Sequence, residues 1–443
     1  MKLVILGGGG FRVPLVHNAL LADRTPGRVT ELVLHDVDSH RLRAISGVLA
    51  DQARGVTDPP RVTATTDLDD ALQGADFVFS AIRVGGFEGR AIDERVAFDE
   101  GVLGQETVGA GGIAYGLRTL PVALEIARRV AQRAPQAWLI NFTNPAGMVT
   151  EAMSRHLGHR VIGICDSPVG LGRRVVRALG VDPAEAWLDY AGLNHLGWLR
   201  GVRVRGQDQL PRLLADPVAL ESFEEGRLFG ADWLRTIGAI PNEYLHYYYF
   251  SREAVTAGRG EARTRGAFLL DQQEKFYAGE VSLDSWERTR RERETTYMAS
   301  NRASVEAGER ESSDLEGGGY EQVALALMHA IANDRRTTLI LNVPNRSTLS
   351  TLDSDAIVEV PCVVDSNGAR PVVVSPLPDH ASGLVTQVKA VERAVVDAAV
   401  HGSRASALKA LAIHPLVDSV TVARRLLDGY VERHRELSYL RGA

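Results

Sequence analysis

The first apolar run of the chain, Leu3–Leu6, has no polar interruption and ends in four glycines, Gly7–Gly10. A strand covered on both faces, as in a parallel sheet, reads this way. A helical pattern follows over about Val13–Leu21, and Glu31–Leu34 reads as a second strand. The alternation continues with a helix over Asp38–Arg54, a short strand over Arg61–Thr65 and a short helix capped by Asp67. A buried strand over Ala75–Ile82, a long amphipathic helix over Ala114–Ala134, and strands over Ala137–Phe142 and Arg160–Ile164 complete the series. Strands alternating with helices predict βαβ units and a doubly wound parallel sheet, an α/β domain over residues 1–170. From about Leu171 the pattern changes. Ala186–Asn194 and Leu199–Val204 read as extended segments around a Gly-x-Asn-His turn. Glu221–Phe250 reads as helical with an aromatic end, and Ser282–Glu311 as a densely charged, solvated helix. Glu321–Ala332 reads as an apolar helix, Thr337–Val343 and Ala356–Val360 as strands, and Ala381–Ala399 and Val417–His434 as closing helices. These predict an α+β domain over residues 171–443, packed tightly on the first.

In such sheets the ligand crevice lies beyond the C-terminal strand ends. Gly7–Gly10 allow a tight turn there, and the helix start that follows offers free amides to a diphosphate. Gly7-x-Gly9-x-x-Arg12 is a partial dinucleotide fingerprint, with Arg12 where a third glycine belongs; a plain strand-to-helix turn is the competing reading. Asp36, 27 positions after Gly9 at the end of the second strand, can accept both ribose hydroxyls of an adenosine and would repel a 2′-phosphate. Alone it reads as a helix cap. Together the elements predict an NAD site.

Composition narrows the class. The chain has 443 residues, 45% apolar and 24% charged, with a net charge of −6 and no basic block, which argues against a nucleic-acid binder. No run approaches the roughly 20 apolar residues of a membrane span. The chain opens on a core strand, so no secretory leader is expected, and two cysteines make no disulfide framework. A cytoplasmic protein is expected.

Candidate chemistry sits at the other strand ends. Cys165 lies in GICDSP and His195 in GLNHLGW; each alone is commonly structural, but on one crevice a thiolate and an imidazole could hold a divalent metal with open positions. Ligand softness alone points to zinc. Tyr244, Tyr247, Tyr248 and Tyr249 lie in PNEYLHYYYF. Tyr244 shares a helical face with Tyr247 and with Tyr248, which suits an aromatic core stripe, although one phenol beside a cation could serve as a base. Arg83, Arg90, Arg95 and Arg263 are candidate anion binders, with Arg83 favoured because it follows a strand end and precedes two glycines. Gln105–Gly112 reads as a polar turn and glycine loop that could line the site.

These residues carry a resemblance. The GGGG loop, IRVGG at 82–86, GQET at 104–107, GGIAYGLR at 111–118, NFTNPAGMVT at 141–150, GICDSP at 163–168 and GLNHLGW at 192–198 together resemble glycoside hydrolase family 4. These are NAD- and metal-dependent glycosidases acting mostly on 6-phosphorylated sugars, and an exception to two-carboxylate glycoside hydrolysis. The resemblance implies an N-terminal Rossmann-like domain with a C-terminal α+β domain, lactate/malate dehydrogenase-like overall. It also implies a mechanism: NAD takes a hydride from C3, the C2 proton becomes acidic and is removed, the aglycone is eliminated from C1, water adds, and the hydride returns. Cys165 and His195 match the metal ligands, and the implied metal is manganese. Tyr244 best matches the C2 base, with Tyr247 and Tyr248 as alternatives, and Arg263 matches a phosphate-binding arginine. Arg83 and Asn144 match substrate contacts, and Asp166 matches the general acid of α-specific members. Gly7, Gly8, Gly9, Gly10, Phe11, Arg12 and Asp36 would hold the cofactor. The FRVP segment at 11–14 is closer to the 6-phospho-β-glucosidase branch, yet β-specific members commonly carry asparagine where Asp166 stands. The resemblance implies a homodimer or homotetramer acting on a phosphorylated glycoside. A 6-phospho-α-glucosidase or α-galactosidase of the same family is the alternative; an NAD-dependent 2-hydroxy-acid dehydrogenase and a non-catalytic NAD sensor are the readings from other classes.

Overall fold

The computed structural model describes residues 1–308, 310 and 319–441. The first six strands are β1 (Lys2–Leu6), β2 (Glu31–His35), β3 (Arg61–Thr65), β4 (Phe77–Ser80), β5 (Trp138–Asn141) and β6 (Val161–Gly163). They pair in parallel in the order β6-β5-β4-β1-β2-β3, the order of a dinucleotide-binding sheet. The unbroken apolar run of β1 is explained by its two faces. Leu3 and Ile5 join one buried cluster with Val16 and Leu20, whereas Val4 and Leu6 join a second with Ile113 and Leu117. Side chains alternate across a strand, so a strand between two helix layers needs apolar residues at every position. Each such side chain contributes roughly 1.5–3 kcal/mol. At the far edge β3 is largely exposed.

The remaining strands are β7 (Ala186–Leu193), β8 (Leu196–Val204), β9 (Gln207–Asp208), β10 (Ile240–Pro241), β11 (Thr337–Pro344), β12 (Ile357–Asp365) and β13 (Gly368–Pro371). All their pairings are antiparallel. They extend the same sheet in the order β10-β8-β7-β12-β11-β6, with β9 on β8 and β13 on β12. One sheet therefore runs across residue 170, and the joint between its parallel and antiparallel parts is the pair Asn342–Gly163. The predicted α/β architecture is present, with the second part extending the first part's sheet.

Helix starts follow local chemistry. The helix Ser39–Gln52 is capped by Asp38, whose carboxylate accepts from the backbone N–H groups of His40 at 2.9 Å and Arg41 at 3.1 Å; Asp67 caps Leu68–Leu72 in the same way. Three expectations are corrected. Glu221–Phe250 is not one helix: Gly230 (φ 75°) and Gly238 (φ 67°) break it into Glu224–Phe229 and Ala231–Ile237, followed by β10, a 3-10 turn over Glu243–Leu245 and the turn His246–Tyr249. The glycines of Gln105–Gly112 are not a loop. They begin the long helix Gly109–Arg133, because Gln105 Oε1 accepts from the N–H groups of Thr107 and Val108 just before it. A Cβ on Gly111 would lie 2.1 Å from the Gln105 carbonyl oxygen. Ser282–Glu311 ends early, at Thr295, and a short helix Ala299–Ser304 restarts after Met298 at φ 50°; Glu309 and Glu311 lie outside the described residues. The helix Gly86–Asp99 was not anticipated. Among the described residues no helix is long and apolar enough to cross a membrane.

Candidate functional site

A cavity of about 800 Å³ opens beyond the C-terminal ends of β1, β4, β5 and β6. Its wall includes Gly7, Gly10, Phe11, Arg12, Arg83, Asn144, Cys165, Asp166, His195 and Tyr244. The structure thus brings together these ten residues singled out from sequence, with Arg90 and Tyr247 beside them. Gly8, Gly9, Asp36 and Arg263 are not part of that wall.

The glycine turn is built by close approach. Gly7 (φ 85°) and Gly8 both donate their N–H to the His35 carbonyl, at 2.9 and 2.7 Å, and a Cβ on Gly7 would lie 2.6 Å from the Ala81 carbonyl oxygen. Gly9 donates its N–H to Asp36 Oδ2 at 3.0 Å, and Asp36 Oδ1 accepts from the Asp38 N–H. Asp36 thus fastens the turn to β2. Side chains from the second half of the chain hold the turn's carbonyls. Tyr277 donates to Gly9 at 2.7 Å, the Trp286 indole N–H to Phe11 at 2.8 Å, and Tyr320 to Arg12 at 2.9 Å. Among the described residues, the amides of Phe11 and Arg12, at the start of the helix Val13–Ala22, carry no partner. Two free donors at a helix start fit a diphosphate. None of these three aromatic contacts was read from sequence, since pairs some 300 residues apart leave no local signal.

Deeper in the cavity, His195 is half of the two-residue link between β7 and β8 and adopts φ 61°, uncommon for a residue with a Cβ. Its Nδ1 is 3.0 Å from Thr107 Oγ1. Its ring stacks on Tyr244, with centroids 3.7 Å apart and planes 9° apart. Burial pushes the imidazole down to about 3, so it is neutral at pH 7. With Nδ1–H donated to Thr107, Nε2 presents a lone pair. Cys165 follows β6. Burial, then the charges of Glu359 and Asp166, push its thiol well up, and Sγ lies 3.9 Å from Asp166 Oδ1. A nearby divalent cation reverses that order by favouring the thiolate. Among the described residues no group of three His, Cys, Asp or Glu side chains forms a closed metal site. One thiol and one neutral imidazole on a single cavity fit a divalent cation whose other positions are left to substrate and water. The second cysteine, Cys362, is free and buried in the core.

The tyrosines separate. Tyr244 and Tyr247 line the cavity and Tyr248 and Tyr249 do not; the broken helix is the reason. Tyr248 stacks on His414 and Tyr249 accepts from Trp198. The Tyr247 hydroxyl accepts from Asn301 at 2.7 Å. The Tyr244 hydroxyl accepts from Tyr297 at 3.0 Å. Burial, then Glu243, hold Tyr244 well above the usual phenol range. Glu243 itself is pushed up to about 7 by burial and by Glu225; its Oε1 accepts from Ser167 at 2.7 Å and its Oε2 is buried without a partner. Asp166 precedes the helix Ser167–Leu179, and its carboxylate makes no capping bond. Asn144 presents a buried, unpartnered carboxamide oxygen.

Arginines converge on one wall. Arg83 and Arg90 both ion-pair with Glu106, and Arg90 also with Glu94 at 2.7 Å. Burial alone would raise the Glu106 carboxyl; the two guanidiniums outweigh it and hold it at about 2. Arg265 and Arg293 join them. Burial, then Arg90, lower Arg265 to about 10. Four guanidiniums against Glu106 and Glu94 leave an excess of positive charge suited to phosphate. Arg263 is a correction to the sequence reading. Half-exposed, it ion-pairs with Asp271 at 2.8 Å outside the cavity, while Arg265, one residue beyond the cap Thr264, turns inward. Arg95 is exposed and away from the cavity.

The model of the family 4 glycosyl hydrolases matches residues 2–181, and that of the family 4 glycosyl hydrolase C-terminal domain matches residues 190–417. A probable 6-phospho-β-glucosidase of Bacillus subtilis is 35% identical over 98% of this chain and 96% of its own. A 6-phospho-α-glucosidase of Leptotrichia buccalis is 31% identical over 98% of each. The Thermotoga maritima 6-phospho-β-glucosidase, solved with manganese, NAD+ and glucose 6-phosphate, is 25% identical, covers 99% of each chain and superposes with a TM-score of 0.82. Malate dehydrogenase of Plasmodium falciparum shares the fold alone, at 12% identity and a TM-score of 0.50.

Proposed function

This chain belongs to glycosyl hydrolase family 4, and from that premise we propose that its cavity hydrolyses 6-phospho-β-glucosides by transient oxidation and elimination. The observation that carries the reading is the convergence of Cys165, neutral His195, Tyr244 and the arginine wall on the cavity that the glycine turn enters. When bound, NAD accepts and returns the C3 hydride, while a divalent cation polarises the sugar's C2 and C3 oxygens. Manganese, as in the Thermotoga maritima relative, replaces the zinc that ligand softness suggested.

In this reading Cys165 and His195 hold the cation. Stacking on His195 fixes the Tyr244 ring, and its hydroxyl takes the C2 proton. Asp166 delivers a proton to the departing oxygen, and its carboxylate is not engaged in capping the helix that follows. Arg83 and Asn144 contact the substrate, with Arg90 and Arg265 facing its phosphate. Residues 1–170 hold the cofactor, and residues 171–443 bring His195, Tyr244 and Arg265. We place the enzyme in the cytoplasm as a homodimer or homotetramer. The unpaired cysteines are compatible with that compartment, and light scattering on the purified chain reads the oligomer.

The test pairs the α and β anomers of 4-nitrophenyl 6-phosphoglucoside, with and without the phosphate, NAD and Mn²⁺. Release of nitrophenol from the phosphorylated β anomer alone, and only with both additions, is expected. Preference for the α anomer would reject the β assignment. Net NADH formation from a 2-hydroxy acid would reject the family chemistry.

A further inference from the structure

Among the described residues, Arg293 is a cation without a counter-ion. It stands in the cavity wall on the helix Leu283–Thr295. Among the described residues no carboxylate forms an ion pair with it: the neighbouring Glu294 is taken by Arg290, and Glu94 and Glu106 by Arg90. Its guanidinium lies between two aromatic rings, 5.2 Å from the Phe11 centroid and 5.0 Å from that of Phe87. Burial, then repulsion from Arg12, Arg83, Arg265 and Arg90, hold it well below the ordinary guanidinium range. A largely desolvated charge without a partner is costly, and it is tolerated where a ligand supplies the opposite charge.

Its position indicates which ligand. Trp286 and Arg293 are seven residues apart on one helix and therefore share a face. Trp286 is bonded to the Phe11 carbonyl, and Arg293 lies over the Phe11 ring. The turn so gripped is the one whose Phe11 and Arg12 amides are free.

We propose that Arg293 is the counter-ion of the cofactor diphosphate, reaching from the second half of the chain to close the anion site begun by the Phe11 and Arg12 amides. The role rests on the reading of the glycine turn as the NAD site. It makes cofactor retention a property of both halves of the molecule. Planar guanidinium and diphosphate oxygens suit bidentate pairing. Because Arg293 has no carboxylate partner among the described residues, its removal breaks no ion pair there and gives up only its two ring contacts.

The test is calorimetric titration of the NAD-stripped full chain with NAD, ADP, adenosine and, at saturating NAD, glucose 6-phosphate. Arg293→Met is expected to weaken NAD and ADP by roughly ten- to a hundredfold and to leave adenosine and glucose 6-phosphate unchanged. Its ligand-free Tm should stay close to that of the parent, since four repulsions are relieved while two cation–π contacts are lost. Arg293→Lys should recover part of the affinity. Unaltered NAD binding by Arg293→Met would overturn the role of Arg293 alone. Loss of glucose 6-phosphate affinity with NAD binding intact would reassign it to the sugar phosphate. Failure of the parent chain to bind NAD would overturn both this role and the reading of the glycine turn.

Discussion

Tyr244 shows how one side chain's surroundings act in opposite directions. Burial and Glu243 disfavour its phenolate, whereas the Tyr297 O–H at 3.0 Å favours it. A base must be deprotonated to act, so kcat rises with pH through its pKa. Tyr297→Phe removes the donor and raises that pKa further. The acid limb of the kcat–pH profile should therefore move to higher pH, with KM little changed. A limb that stays in place would make Tyr297 a packing residue. Tyr244→Phe should abolish turnover while leaving NAD affinity intact, read by the same titration. Legibility at this scale followed backbone position. Cys165, Asp166 and Asn144 follow strand ends, and a strand end is visible as the close of an apolar run. Arg265 and Arg293 lie on helices of mixed charge, where the sequence does not mark which arginine turns inward. The family resemblance points to Arg263, but the cap at Thr264 puts its neighbour, two residues on, inside.

The helix Gly86–Asp99 carries Arg90 and Glu94 into the cavity and is locked from behind. Asp93 accepts from Arg118 through both oxygens, at 2.6 and 2.8 Å, and lies 2.8 Å from His434 Nε2. All three side chains are buried. Removing one member of a buried pair strands the other charge, so Asp93→Ala should destabilise the fold by about 3–5 kcal/mol, read by denaturant unfolding. A loss within error would show that water replaces the carboxylate. This helix escaped the sequence reading because its buried face includes Arg90, Asp93 and Glu94, which imitate a solvated surface. The parallel strands were plain for the opposite reason: two covered faces leave no polar position to confuse the pattern. Glu221–Phe250 misled because its residues favour helix while two glycines at positive φ end each segment.

At the scale of the whole molecule, one sheet carries two kinds of pairing, and the cavity collects residues from both parts. Buried histidines make that assembly sensitive to acid. His246 is fully buried, stacks on Phe250 at 5.0 Å, and has two ring nitrogens without partners among the described residues. Burial depresses it from 6.5 to about 4. A depressed histidine leaves the folded state unprotonated where the unfolded chain binds a proton. Its contribution is therefore intact above 6.5 and is lost as pH falls through about 4. His246→Phe should reduce the acid-side loss of stability by about 1.4 kcal/mol per pH unit within that window, read as Tm against pH. Parallel profiles for variant and parent would refute the assignment. The sheet's continuity across residue 170 was not legible, because the joining pair, Asn342–Gly163, is far apart in the chain and neither residue marks a strand centre.

In the proposed reaction the C2 proton is removed and a solvent proton is added there during glycoside cleavage. Hydrolysis of a 6-phospho-β-glucoside in D₂O with NAD and Mn²⁺, followed by NMR of the glucose 6-phosphate formed, tests it directly. One deuterium at C2 in every product molecule is expected. Product carrying only protium at C2 would contradict it and return the reaction to direct displacement at C1.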